Sequence, residues 1–228
     1  MNSIEIEALK LKNYKIMSQY SRTSTVGGGV MILVRTSTIA KEIKLPSVRT
    51  LTKDKEFECC LVEVKTSRDP LIIVGIYRTP KTCYEKPFLN NLDTLMVILN
   101  KLYKNILIIG DINIDVLEVS NKYKNFTSIL ESNQMNYLVD FPTRYSDQRD
   151  SALDNVITNI NKANIKVAGI VTLLSDHDAQ LIEIIGIKTK NSSTLKNSNN
   201  ITKYSRKFNN ENIHMFLNKL ATESWMDV

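Results

Sequence analysis

At 228 residues the chain can bury one substantial core, as one large domain or as a domain with a tail. It is 43% hydrophobic and 24% charged, which excludes a disordered chain, and no stretch nears the roughly 20 apolar residues that cross a bilayer. The formal charge of +6, from 30 basic and 24 acidic residues, suits a polyanionic partner and plain solubility alike.

Acidic residues interrupt the opening Met1-Asn2-Ser3-Ile4-Glu5-Ile6-Glu7 before any apolar run, so it does not read as a signal peptide. The chain is expected to be intracellular, without a membrane partner. Cys59, Cys60 and Cys83 lack paired C-x-x-C spacing, which argues against a disulfide framework or a structural zinc site.

In chain order, residues 14–20 have the pattern of a short edge strand. Gly27-Gly28-Gly29 leads into the apolar run 30–34, a core strand. With no Lys-Ser/Thr after them, the glycines read as a tight turn rather than a phosphate loop. Residues 56–64 and 71–77 form a hairpin through Ser67-Arg68-Asp69-Pro70. After Pro87 the apolar residues Phe88, Leu92, Leu95, Met96, Leu99 and Leu102 recur at helical spacing. The strand Ile106-Leu107-Ile108-Ile109 follows, ending at Gly110. Tyr123, Phe126, Ile129 and Leu130 predict a second helix, and further strands are expected at 153–158, 165–173 and 179–185.

Residues 187–207 read as a basic, polar linker carrying Lys188, Lys190, Lys196, Lys203, Arg206 and Lys207. Residues 208–228 read as a partial helical connector with the stripe Ile213, Phe216, Leu217 and Leu220, followed by Trp225. His214 falls on its polar side. Hairpins mixed with long helices favour a layered α/β arrangement of two face-to-face sheets with helices outside; a doubly wound parallel fold is the alternative.

Directly after Gly110 come Asp111 and Asn113, a carboxylate and an amide two residues apart at a strand end. Such a pair can hold a metal and a phosphate. Asp111 could take a proton from water, and Asn113 could donate to a phosphoryl oxygen without adding charge. A turn in which both side chains merely cap backbone fits the local sequence equally well. Ser175-Asp176-His177 precedes the last strand: His177 suits proton transfer, Asp154 could orient its ring, and Asp176 could face a divalent cation. Tyr77 and Arg78, and Thr143 with Arg144, close other segments with groups that could meet a phosphate backbone, though a core Tyr77 and a solvated Arg78 fit equally well.

The ordered set Gly27-Gly28-Gly29-Val30, Gly75-Ile76-Tyr77-Arg78-Thr79-Pro80, Gly110-Asp111-Ile112-Asn113, Phe141-Pro142-Thr143-Arg144, Ser151 with Asp154, and Ser175-Asp176-His177 resembles the endonuclease/exonuclease/phosphatase superfamily. The nearest likeness is to the apurinic-type endonuclease domain of non-LTR retrotransposons. The resemblance spans about residues 10–186 and implies that residues 1–186 form a four-layer sandwich of two mixed sheets flanked by helices. It implies Mg²⁺- or Mn²⁺-dependent nicking of DNA and a reverse transcriptase module in a parent polyprotein; a nuclear location would suit that target. By motif, Asp111 corresponds to the water-activating aspartate and Asn113 to the phosphate-binding asparagine. Asp154 and His177 correspond to the aspartate–histidine pair, Tyr77 to the phosphate-contacting tyrosine, and Asp176 to the aspartate near the metal. Arg78, Thr143 and Arg144 would contact nucleic acid. The family's opening strand with its asparagine, and the later metal-binding glutamate, match no early segment; Glu5 and Glu7 lie in a polar stretch. The domain is therefore expected to be truncated at its amino terminus and to lack its first strand and helix. An inactive fragment that still binds nucleic acid, or a phosphatase, are the alternative functions.

Overall fold

The computed structural model describes residues 11–22, 27–146, 149–173, 175–191 and 210–222. The chain divides after Thr194 into a larger unit and a carboxyl-terminal one. In the larger unit, a mixed sheet of six strands forms the frame. Its strands are Ala40–Glu42 (β3), Glu58–Val64 (β4), Leu71–Tyr77 (β5), Asn105–Asp111 (β6), Asn136–Tyr137 (β7) and Asp154–Thr158 (β8). They lie in the order β3-β4-β5-β6-β8-β7, and only β5 and β6 run parallel.

That single parallel pair has a cause in the sequence. β4 and β5 are joined by a turn and pair antiparallel, whereas β5 and β6 are separated by the helix Glu85–Leu102 (α2), long enough for a crossover. The helix buries Phe88, Leu92, Leu95, Met96 and Leu99 of the expected stripe and Leu89 besides, whereas Leu102 is exposed at its end. Ile72, Val74, Ile76, Ile106 and Ile108 belong to the same core and are buried to within 2% of full coverage. A second helix, Asn121–Ser132 (α3), starts where the Ser120 hydroxyl accepts the Tyr123 N–H, and it buries Phe126 and Leu130. A single turn of helix, Pro46–Arg49 (α1), lies between β3 and β4.

Two small antiparallel sheets accompany the large one. Tyr14–Tyr20 (β1) pairs with Val30–Arg35 (β2), and Ile165–Ile170 (β9) pairs with Ala179–Ile184 (β10). β2 lies against the large sheet at Gly75, where an added Cβ would sit 2.5 Å from the Val30 side chain. The expected second sheet is thus present as two separate hairpins.

Residues 188–190, expected within the linker, are tied to the larger unit. Ser67 N–H donates to Lys188 O, Lys190 N–H to Lys65 O, and Ile39 N–H to Lys190 O, so this segment pairs along the sheet margin. In the carboxyl-terminal unit, Asn210–Thr222 forms a helix (α4). Ile213 and Leu217 are exposed there, as is His214, while Phe216 and Leu220 have undescribed side chains and Trp225 lies outside the described residues. Among the described residues, no helix is long and apolar enough to cross a membrane.

Candidate active site

Three neighbouring strands bring chemically active side chains to one end of the large sheet. Tyr77 closes β5 opposite Asp111 of β6, and Asp111 in turn faces Asp154 at the start of β8. Gly110 makes this row possible. Its φ is +153°, and an added Cβ would lie 1.8 Å from the Ile76 carbonyl oxygen, so any side chain would push β6 away from β5.

His177 joins from the loop before β10. Its Nδ1 lies 2.7 Å from Asp154 Oδ2, and Thr143 Oγ1 donates to the same oxygen at 2.9 Å. The Thr143 hydroxyl also accepts the N–H groups of Leu153 and Asp154 at 3.0 and 3.1 Å. One hydroxyl therefore fixes both the carboxylate and the backbone that carries it. Asp111, Asp154 and His177 form a cluster in which one ligand atom from each lies within 4.8 Å of the others.

Asp111 is strained electrostatically. Burial, then the nearby negative charge of Asp154, push its carboxyl up to about 6; the Asn113 N–H and His177 pull the other way. A carboxyl near that value can accept a proton at neutral pH. Burial, followed by the charge of Asp111, raises the Tyr77 phenol, while Arg22 opposes the rise.

Asn113 turns left-handed at φ 52°, and its N–H donates to Asp111 Oδ1 at 3.0 Å. Its side-chain amide donates to Arg78 O at 2.7 Å, so part of the group is spent on backbone.

Two expected nucleic-acid contacts are corrected by their burial. Arg78 is 1% exposed: its Nε donates to Ile112 O at 2.8 Å, its Nη2 to Asn113 O at 2.6 Å, and it sits over the Phe88 ring. It clamps the Asp111–Asn113 turn from behind rather than facing a ligand. Thr143, also 1% exposed, orients Asp154 as described above. Arg144 remains at the surface, where its Nε donates to Asp176 Oδ2 at 2.8 Å. That hydrogen bond lowers the Asp176 carboxyl, which is exposed next to His177 in the chain.

Reading the sequence missed Glu58 and Arg22, which meet behind Tyr77. Glu58 carried a usable signal, because it shares strand parity with Cys60, Val62 and Val64, all buried. Arg22 carried none.

A family model described as endonuclease-reverse transcriptase matches residues 71–181, the stretch that holds Tyr77, Asp111, Asp154 and His177. Among solved structures, the endonuclease domain of TRAS1, a telomere-specific non-LTR retrotransposon, is similar at 16% identity with a TM-score of 0.60, over 77% of this chain and 80% of that one. The catalytic domain of Xenopus laevis APE2 is similar at 12% identity and TM-score 0.56, over 81% and 79%. The 3' phosphatase NExo from Neisseria, bound to a product DNA hairpin, is similar at 13% identity and TM-score 0.55, over 81% and 83%. No curated protein matches the sequence. The fold is the one these endonuclease and phosphatase structures share, and the match to the endonuclease-reverse transcriptase model covers residues 71–181 of it.

Proposed function

We propose that the protein hydrolyses phosphodiester bonds in DNA, as a divalent-metal-dependent nicking endonuclease of retrotransposon type. The observation that carries this reading is the convergence of Asp111, Asp154 and His177 at one strand end beside Tyr77. The likeness to the TRAS1 endonuclease domain supports the retrotransposon assignment.

In this scheme Asp111 accepts a proton from the attacking water, since its carboxyl is held near neutrality. Asp154 holds Nδ1 of His177, leaving Nε2 to donate to the phosphate as charge builds on its oxygens. Tyr77 offers its phenol to another oxygen of the same group, and Asn113 keeps the second N–H of its amide for the substrate. Two carboxylates and an imidazole this close would fit a hard ion such as Mg²⁺ or Mn²⁺, with Asp154 as its donor while Asp111 serves the water. Bound there, the ion supplies positive charge that offsets the repulsion between phosphate and nucleophile. Arg144 is the remaining basic contact to a DNA backbone, and a reverse transcriptase module is the partner implied by the matched family.

A second reading, an inactive domain that still binds nucleic acid, is favoured by the Asn113 amide bonded to Arg78 O and by the pairing of Asp176. Incubation of supercoiled plasmid with Mg²⁺ separates the two. Nicked circles from the protein, absent with His177→Ala, support the endonuclease. No nicking, with salt-sensitive DNA binding retained, supports the inactive domain, and turnover of small phosphomonoesters alone would reassign it as a phosphatase.

A further inference from the structure

A buried ion pair stands behind Tyr77 and takes no part in the chemistry above. The Glu58 side chain is 0% exposed, yet its carboxylate is fully engaged. Oε1 accepts from Arg22 Nε at 2.5 Å and from the Lys55 N–H at 2.6 Å, and Oε2 accepts the Gly29 N–H at 2.7 Å. Glu58 is also the register partner of Tyr77 across β4 and β5. The Arg22 guanidinium, 7% exposed, has its central carbon 5.6 Å from the centroid of the Tyr77 ring.

Arg22 is not there for stability alone. Among the described residues its Nη2 is buried without a hydrogen-bond partner, and desolvating a charge with an unmet donor is costly. An apolar pair of the same size would fill the space at lower cost. The glycine loop is shaped around the guanidinium. Gly28 has φ +81°, and a Cβ there would lie 2.3 Å from the Arg22 guanidinium carbon, so only glycine lets the loop lie flat on it. The neighbouring Gly29 N–H closes on Glu58.

We propose that Arg22 is a positioning residue for Tyr77: anchored by Glu58 and covered by the glycine loop, its guanidinium lies on the ring and fixes the phenol beside Asp111. This rests on the reading of Tyr77 as a phosphate-contacting group. The same relation explains Gly28, which lies on the buried cation, and Gly29, whose N–H closes on Glu58.

The test uses protein labelled with ¹³Cζ-tyrosine, the Tyr77 resonance being assigned by its loss in Tyr77→Phe. Arg22→Met is compared with Arg22→Lys and with Arg22→Met/Glu58→Gln, which avoids leaving a lone carboxylate in the core. The Tyr77 resonance is expected to shift and broaden in Arg22→Met and in the double variant, with partial recovery in Arg22→Lys. The resonances of Tyr103, Tyr123 and Tyr137 should stay in place. In plasmid nicking, kcat is expected to fall about 10- to 100-fold with KM for DNA unchanged, and the loss should vanish in a Tyr77→Phe background. An unmoved Tyr77 resonance in the folded double variant overturns the proposal. So does an equal loss of rate with and without the Tyr77 hydroxyl. Because the spectrum needs no turnover, a protein that nicks nothing but whose Tyr77 resonance moves overturns the nuclease reading and leaves the hold of Arg22 on Tyr77 standing.

Discussion

His177 and Asp154 meet through one contact, Nδ1 to Oδ2 at 2.7 Å, across 23 positions of sequence. The oxygen that receives the imidazole also receives the Thr143 hydroxyl, so the carboxylate cannot rotate without losing both partners. Asp154→Asn keeps the shape but removes the charge that stabilises the ring in its working tautomer. Single-turnover cleavage should slow by about 10²- to 10⁴-fold while DNA affinity holds. An unchanged rate would remove the pair from the chemistry.

Thr143→Val is nearly isosteric and strips the acceptor from the Leu153 and Asp154 N–H groups. Urea unfolding should show a loss of about 1–3 kcal/mol, and cleavage should slow as Asp154 loosens. Thr143→Ser should recover both properties. Recovery of stability without recovery of rate would separate the hydroxyl from orientation of the carboxylate.

The raised Asp111 carboxyl makes a prediction for stability in metal-free buffer. Its folded value of about 6 lies above the ordinary 3.8, so its contribution is fully present below about pH 4 and is lost as pH rises through 6. Asp111→Asn removes that loss. The variant should therefore gain about 2 kcal/mol relative to the parent between pH 4 and pH 7, a figure reduced from the full shift because the site is partly solvated. A stability difference that stays flat across this range would mean that Asp111 is not held near neutrality. In the endonuclease scheme, the same substitution abolishes cleavage.

Arg78 and Arg144 should part company. Arg78→Lys loses the fork that grips the carbonyls of Ile112 and Asn113, and unfolding should become easier by about 2–4 kcal/mol. Arg144→Ala should leave the fold intact and reduce the dependence of log K on log salt by about one phosphate contact. A slope unchanged by Arg144→Ala would leave the DNA contact to other residues.

Much of this was legible beforehand, for identifiable reasons. The elements around Asp111 were legible as an apolar strand, a long amphipathic helix and a second apolar strand, since periodicity reports burial directly; that the two strands pair in parallel came from the structure. Asp111 and Asn113 were visible because they follow that strand at once. The pairing of Asp154 with His177 was legible as a possibility and no more, because the contact spans 23 positions and is closed by the loop that carries His177. Arg78 was misjudged although a signal existed: it continues the parity of Ile72, Val74 and Ile76, the face buried completely, so its charge had to be satisfied inside. The pairing of Asp176 with Arg144, and the meeting of Arg22 with Glu58, depend on loop geometry that no local pattern encodes.

The central claim is that Asp111, Asp154 and His177 act as one unit on one phosphodiester. Single-turnover cleavage of an end-labelled duplex in Mg²⁺, by the parent protein, Asp154→Asn, His177→Ala and the double variant, tests it most directly. Each single variant is expected to lose at least about 100-fold, and the double variant little more than His177→Ala alone. Parent protein that cleaves no faster than His177→Ala, or losses that multiply in the double variant, would contradict it.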